Sequence, residues 1–581
     1  MSRASDKQSS DLVTGADLVA AALQAHQVHV VFGLPGVHNL PLWRACSDAG
    51  IRIVGSRHEQ GAAYAADGYA RTHDRAGVAF VTTGPGAANS AGAVGEAWAA
   101  HSPVVLVATD ISSKLRRAGV YRGVLHECTD QAAMFKPLTK ETIVLETPAA
   151  IGEAVSRAVS IALELPSGPV YVGIPTDFLL AEVETVELGA RMEDNQSGAP
   201  ERGSEWIAEV EALLEQAMRP LIWVGSGAKQ AGSQIAELAA RLDAPVVETI
   251  QARGTVPADD PYLVRAPVHE PLVTEMVVRS DLLFAVGTDL DAMMTQNWAL
   301  PLPRPRVALN LSSADATKNY EMDLVVEGRA DALVDQLLRA LGPRVSNSER
   351  VDEVRTVGSR VRESLDSHKG TREALALLDI VERTLPADSV IFTDMAIAGY
   401  WLSQYLPARG NRSLHHPAWG TLGFAFPAGI GAAVDHPGPV VVFCGDGGIL
   451  YAIGELAVVA QEGLDVITVV FDDGGYGVLR WAHDDGDRRF GTYLTSPDLA
   501  LVARGFGIPA EQVKGVGPDL EHALSAALAR RGPSVIQVWA SLYPPRTTSA
   551  RWPLSGGGSD KALGQGRPGL LTRKEVSDDT V

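Results

Sequence analysis

Short apolar runs, glycine turns and amphipathic stretches alternate along most of the chain. Val30-Val31-Phe32-Gly33, Val78–Thr82, Val104–Ala108 and Val170–Ile174 carry aliphatic residues with no polar alternation. That is the pattern of strands buried on both faces, as in parallel sheets. The pattern returns at Pro220–Val224, Ala244–Glu248, Asp281–Gly287 and Val307–Leu311, and again at Val390–Thr393, Pro439–Phe443 and Val466–Val470. Helical spacing fills the gaps; over Ile449 to Glu462, for example, Ile453, Leu456, Ala457 and Ala460 share a face. Strand–helix alternation of this kind predicts an α/β chain of three doubly wound parallel-sheet domains. Their expected bounds are 11–185, 205–345 and 373–545. A polar linker is expected over Leu188 to Ser204 and a charged helical connection over Ser346 to Arg372. Residues 1–10 read as a loose polar start, and 546–581, rich in Pro, Ser and Gly, as a flexible tail.

One strand–helix–strand unit carries distinctive chemistry. Its first strand ends in Cys444-Gly445-Asp446-Gly447-Gly448 and its second in Phe471-Asp472-Asp473-Gly474-Gly475-Tyr476-Gly477. Ligands bind such units beyond the carboxyl ends of the strands, where both acidic turns lie. Asp446 and Asp473 can therefore meet, and the glycines let backbone amides approach a phosphate. Two hard oxygen ligands beside phosphate oxygens describe a Mg²⁺ or Ca²⁺ site clamping a diphosphate. A GDGG turn alone is ordinary Gly/Asp turn chemistry; the second acidic turn is what suggests a site.

These two turns resemble the motif of the thiamine diphosphate (ThDP) enzymes, the superfamily of acetolactate synthases and 2-oxoacid decarboxylases. The resemblance implies the ThDP-binding fold, with pyrimidine-binding, central and diphosphate-binding domains in that order. It implies ThDP and Mg²⁺ as cofactors, with Asp446, Asp473 and the carbonyl of Gly475 as metal ligands and Gly447 and Gly448 against the diphosphate. The family usually carries two Asn where this chain has Asp472-Asp473, which adds negative charge beside an anionic cofactor.

Two further segments extend the resemblance. Arg57-His58-Glu59-Gln60-Gly61 follows the predicted strand Ile51–Ser56 and precedes Thr83-Gly84-Pro85-Gly86-Ala87-Ala88-Asn89. Glu59 then matches the glutamate that hydrogen-bonds the aminopyrimidine and promotes loss of the thiazolium C2 proton. By itself Glu59 reads as a helix-start carboxylate complementing the dipole. Trp419-Gly420-Thr421-Leu422-Gly423-Phe424 resembles the loop beneath the bent cofactor. Leu422 is the wedge, and the Gly420 carbonyl accepts from the 4′-amino group; by itself the segment reads as a loop before a small-residue packing helix. Ala396, after Val390–Thr393, is a weaker candidate for diphosphate contact.

The resemblance also implies the reaction. A 2-oxo acid of the pyruvate kind is decarboxylated and the product carboligated to a second carbonyl compound, as in acetolactate synthase. Simple decarboxylation to an aldehyde and acyl transfer are the alternatives within the cofactor class. A flavin or nicotinamide oxidoreductase, or a catalytically silent homologue, is the alternative from other classes. The implied assembly is a homodimer or homotetramer, with Glu59 of one chain serving the Asp446 cluster of another. His126, in Leu125-His126-Glu127 where acetolactate synthases carry Phe-Gln-Glu, is the candidate proton-transfer group, since imidazole changes charge near neutral pH; a loop hydrogen bond is its competing reading. His416 is a second catalytic candidate, with His38 and His415 behind it. Arg480 is a candidate receptor for a substrate carboxylate, or simply a surface arginine. The Gln-Trp-Gln element of biosynthetic acetolactate synthases is not found after Tyr476.

Composition narrows the classes. A length of 581 residues suits about three domains of roughly 150–200 residues, and 46% hydrophobic content suffices for their cores. A net charge of −20, with no basic stripe, argues against nucleic acid. Cys46, Cys128 and Cys444 give neither a disulfide framework nor a zinc pattern. No apolar run approaches a membrane span and the start lacks an apolar signal core, so a cytoplasmic protein is expected. In the middle domain Val224-Gly225-Ser226-Gly227 lacks the third glycine of a dinucleotide loop. Asp289-Leu290-Asp291-Ala292-Met293 stands where the FAD-binding relatives carry arginines. A structural scaffold is the expectation there, with FAD as the lesser alternative.

Overall fold

The structure, a computed structural model, describes residues 12–117, 119–184, 205–342, 348–407, 413–482 and 491–547. The predicted loose start and the 188–204 linker lie outside the described residues, as does the tail beyond residue 547. The chain forms two compact units. One comprises Met1–Gln196, Pro417–Pro437 and Ala452–Leu464; the other comprises Ser197–His416, Gly438–Tyr451 and Asp465–Val581.

In the first unit the strands are β1 (Leu12–Thr14), β2 (Val30–Gly33), β3 (Arg52–Gly55), β4 (Gly77–Val81), β5 (Val104–Asp110), β6 (Glu141–Val144), β7 (Val170–Pro175) and β8 (Glu182–Glu184). Six form one parallel sheet in the order β3-β2-β4-β5-β7-β6; β1 and β8 pair antiparallel on their own. Strands β4 and β7 are wholly buried, as their unbroken apolar runs require. The order reverses between β2 and β4, so the loops after these strands flank a crevice at the carboxyl edge.

Two helices of this unit matter for the site: α1 (Glu59–His73) and α2 (Pro85–Ala99). Against α1 packs α3 (Ala425–Ala433), whose glycine-rich face the sequence read as a close-packing surface. A Cβ at Gly68 would overlap the Ala428 carbonyl, and one at Gly431 would overlap the Ala65 carbonyl. The backbones touch there, and only glycine permits it. Beneath them Arg71 spans Asp67 (2.7 and 2.8 Å) and Glu96 (3.1 Å) in a fully enclosed network. Removing one member of such a network strands the others, at a cost of about 3–5 kcal/mol.

The second unit holds two parallel sheets. One contains β9 (Pro220–Val224), β10 (Val246–Glu248), β11 (Leu282–Val286), β12 (Arg306–Asn310) and β13 (Leu324–Glu327), in the order β10-β9-β11-β12-β13. The other contains β14 (Val390–Thr393), β15 (Ser413–His415), β16 (Val440–Gly445), β17 (Val466–Asp472), β18 (Ala510–Lys514) and β19 (Ser534–Trp539), in the order β15-β14-β16-β17-β19-β18. Its order reverses between β14 and β16, so Ala396 and Asp446 flank the second crevice. The three parallel sheets bear out the predicted fold class.

One predicted helix is corrected. Ile449 to Glu462 is not continuous; a one-turn helix Asp446–Ile449 is followed by a tight turn at Ile453–Glu455 and a separate helix Leu456–Glu462. Gly447, Gly448 and Gly454 lower helix propensity there, and Glu455 is turned aside to accept hydrogen bonds from the Arg57–His58 segment. The charged connection is helical as expected, over Ser348–Ser367, and a separate helix, Arg372–Thr384, opens the third region. Among the described residues no helix is long and apolar enough to cross a membrane.

Candidate active site

At the N-terminal crevice the Thr82–Gly86 turn organises the surroundings. Thr83 Oγ1 meets His38 Nδ1 at 2.8 Å and donates to Thr109 Oγ1 at 2.9 Å. Gln131 accepts from the Gly84 N–H (2.6 Å), and its amide donates to the Thr109 carbonyl and the Tyr171 hydroxyl. A Cβ at Gly84, where φ is +66°, would overlap the His126 carbonyl. The imidazoles of His38 and His126 lie edge to face, centroids 5.3 Å apart. Burial, and then the charge of His126, lower the pKa of His38 below the usual 6.5. His126 itself sits in the left-handed region, φ +68°.

Glu59 opens α1 on the other side of the same turn. Its carboxylate is buried, accepts from Asn89 Nδ2 at 3.0 Å, and approaches Gly86 closely. Glu59, His38 and His126 thus all border the 82–86 turn.

Two carboxylates absent from the candidate set hold this region. Glu455, 2% exposed, accepts from the N–H groups of Arg57 (3.0 and 3.1 Å) and His58 (2.9 Å), immediately before Glu59. Burial pushes it up to about 7, against the lowering effect of those hydrogen bonds. Glu96, fully buried, accepts from Ala418 N–H (2.6 Å), Trp419 N–H (3.1 Å) and the Thr421 hydroxyl (2.9 Å). It thereby fixes the loop carrying Gly420, where φ is +81°, and Leu422. Each acid clasps backbone hundreds of residues away, which no local pattern encodes. The only hint was a lone glutamate amid apolar neighbours in each segment.

At the second crevice Asp446, 1% exposed, begins the one-turn helix and accepts from the Ser496 hydroxyl. Its other oxygen, Oδ1, is buried without a hydrogen-bond partner. Burial first, then the neighbouring carboxylates of Asp472 and Asp473, push it up to about 7 against the Ser496 hydrogen bond. Asp472 turns inward, accepting from Gln537 Nε2 (2.7 Å) and from Gly474 N–H (3.2 Å). Asp473 pairs with Arg480 at 2.6 Å. The Gly475 carbonyl accepts from Gly477 N–H at 3.2 Å, and Gly475 itself has φ +137°. Cβ atoms at Gly447 and Gly448 would come within 2.7 Å of the Tyr476 ring and of Asp394 Oδ2. Ala396 lies beside Gly445, 3.4 Å from where its Cβ would stand.

The remaining candidates lie in the second unit. His416 is buried, its Nδ1 2.9 Å from Thr393 Oγ1 and its carbonyl accepting from Gln251. His415 stacks on Phe392, centroids 4.8 Å apart. Both are packed in the second unit at the end of β15. Arg480, proposed from sequence for a substrate carboxylate, is committed to Asp473. In the middle sheet's loop Asp291 caps the N–H groups of Met293 and Met294, and Asp289 pairs with Lys318.

Comparison with known proteins decides the family. Residues 13–134 match "Thiamine pyrophosphate enzyme, N-terminal TPP binding domain", residues 207–337 its central domain and residues 394–538 its C-terminal TPP binding domain. A Pseudomonas aeruginosa protein described as "Probable 2-ketoarginine decarboxylase AruI" is 32% identical over 91% of this chain and 95% of its own length. The chain belongs to the thiamine pyrophosphate enzymes. Other relatives are the acetolactate synthase isozyme 2 large subunit of Escherichia coli (29% identical; 90% of this chain, 95% of that one) and a probable acetolactate synthase large subunit of Methanocaldococcus jannaschii (28%; 90% and 91%). A solved structure, the Rhodococcus jostii ThDP-dependent 4-hydroxybenzoylformate decarboxylase, superposes with TM-score 0.77 at 23% identity, covering 91% of this chain and 99% of that one. That likeness shows the fold.

The family's cofactor fits the residues present. The orphaned Oδ1 of Asp446 is a buried acceptor suited to a cation, since buried polar atoms in native proteins are otherwise paired. Glycines at 447 and 448 keep the turn free of side chains where a phosphate would approach. Among the described residues no three His, Cys, Asp or Glu side chains converge as a metal cluster. A cation at Asp446 and Asp473 would therefore complete its shell from backbone, water and diphosphate oxygens. The protein is a ThDP enzyme of the acetolactate synthase or 2-oxoacid decarboxylase kind.

Proposed function

We propose that this enzyme removes CO₂ from a 2-oxo acid with ThDP and Mg²⁺ and releases an aldehyde. The observation that carries the reading is the pairing of His38 with His126 beside the turn that borders Glu59. Aldehyde release requires a proton at the carbon that lost CO₂, and imidazole suits that transfer near neutral pH.

Bound ThDP supplies the electron sink that lets CO₂ leave. Glu59 holds and returns a proton at the aminopyrimidine ring, its carboxylate oriented by Asn89. His38 and His126 position the substrate carboxylate and then deliver the proton, with Thr83 fixing the His38 ring. Glu96 holds the Gly420–Leu422 loop, and Asp446, Asp473 and the Gly475 carbonyl would hold Mg²⁺, which would bind the diphosphate. The assembly proposed is a homodimer or homotetramer in which Glu59 of one chain serves Asp446 of another. The second reading, carboligation to a hydroxyketone, is supported by the relatives described as acetolactate synthases.

A panel of 2-oxo acids, with and without an added aldehyde, tests both readings when CO₂ and products are followed by mass spectrometry. Stoichiometric aldehyde supports the first reading and a ligated ketone the second. Glu59→Gln should lower CO₂ release by about 10²–10⁴-fold with ThDP still bound. Unchanged turnover would remove Glu59 from the mechanism.

A further inference from the structure

The turn after β17 carries Asp473, and the fold sets a cation directly against it. Arg480, on the helix α4 (Gly477–Ala482), meets Asp473 Oδ1 at 2.6 Å and donates to the Asp473 carbonyl at 2.8 Å. The side chains are only 10% and 13% exposed, so the pair is shielded from solvent and salt. We propose that Arg480 is the built-in counter-charge that lets an aspartate serve at this cation position beside an anionic diphosphate. The inference rests on the ThDP–Mg²⁺ reading above and makes Arg480 a positioning residue within it.

The turn is shaped around this pair. A Cβ at Gly477 would overlap Asp473 Oδ2; a Cβ at Gly475 would overlap the Thr492 carbonyl and come within 3.2 Å of Arg480 Nη1. The Arg480 guanidinium also lies 5.1 Å from the centroid of the Tyr493 ring. Tyr493 is on the segment that pairs with the turn through Tyr476 N–H to Thr492 O and Leu494 N–H to Gly474 O, both 2.9 Å. The neighbouring aspartate needs no such partner, because Asp472 is turned inward and bonded to Gln537. Without Arg480, Asp473 would add a full negative charge beside Asp446 and facing a diphosphate. With Arg480, the pair sums to the neutral charge of asparagine while the carboxylate geometry is held.

A charge cycle tests the proposal by calorimetry on the full-length protein, titrating MgCl₂ at saturating ThDP and ThDP at saturating MgCl₂. Asp473→Asn alone leaves Arg480 unpaired beside a dication, and Mg²⁺ affinity should fall at least tenfold. Arg480→Gln alone leaves Asp473 facing the diphosphate, and ThDP affinity should fall at least tenfold. The double variant should return within about threefold of wild type, and Arg480→Lys should keep most of the affinity. If the double variant is as weak as the two losses combined, or Lys fails as badly as Gln, Arg480 merely ties the loop and the proposal falls. Wild-type protein that binds neither Mg²⁺ nor ThDP would instead overturn the functional reading beneath it.

Discussion

The two crevices are built from different materials. At the N-terminal sheet, Glu59 and the imidazoles of His38 and His126 border a turn where the other polar groups engaged, Thr83, Gln131 and Asn89, are uncharged. At the C-terminal sheet three aspartates crowd the ends of two adjacent strands, relieved by one hydroxyl, one amide and one arginine. The first set can pass protons with little change in its fixed charge. The second is an anionic well, where burial first and then the charges of Asp472 and Asp473 raise Asp446 to about 7. On the proposed reading one side moves protons and the other anchors, so damage to each should read out differently.

The sharpest break is at Asp446. Asp446→Ala removes the buried, unpartnered oxygen and should weaken ThDP binding more than 100-fold at fixed Mg²⁺, on the order of 3 kcal/mol. Loss of one buried carboxylate from a crowded acidic cluster should leave the circular-dichroism spectrum intact. Tight ThDP binding by this variant would erase the distinction between anchor and proton-transfer sides. A smaller effect is expected from His126→Ala, with aldehyde formation down about 10²-fold and ThDP affinity within twofold of wild type. If affinity falls with turnover, His126 belongs to the anchor instead.

Sequence disclosed the strands and acidic turns readily, because unbroken Val/Ile runs and Gly-Asp turns are local signals. Glu59, Asp446 and Asp473 were proposed from their motifs, and His38 and His126 as candidates, though not the contact between the two imidazoles. What escaped was set by the fold. The break at Ile453–Glu455 arises because Glu455 reaches the Arg57–His58 backbone, a contact almost four hundred residues away in the chain. Glu96 is hidden for the same reason. The Arg480–Asp473 pair was not foreseen, since a helix-borne arginine five residues past a Gly-Gly turn does not advertise which carboxylate it faces. His416 was named for chemistry, and its contact with Thr393 was not foreseen.

The smallest effect, and the subtlest test of the proton side, concerns Glu455. Its folded value of about 7 lies above its ordinary 4.5, chiefly through burial. A carboxyl shifted upward favours folding in its protonated form. Its contribution is complete below pH 4.5 and is lost as pH rises through about 7. The shift corresponds to at most roughly 3 kcal/mol. Glu455→Gln cannot ionise, so the difference in Tm between variant and wild type should move in the variant's favour by several degrees between pH 5 and pH 8. Asp446, also raised, tilts both curves equally and cancels in the difference. Parallel curves would mean that Glu455 stays in one protonation state throughout. The Arg57–His58 amides would then stabilise its anion as fully as water does, and the segment before Glu59 would be held by a permanent charge.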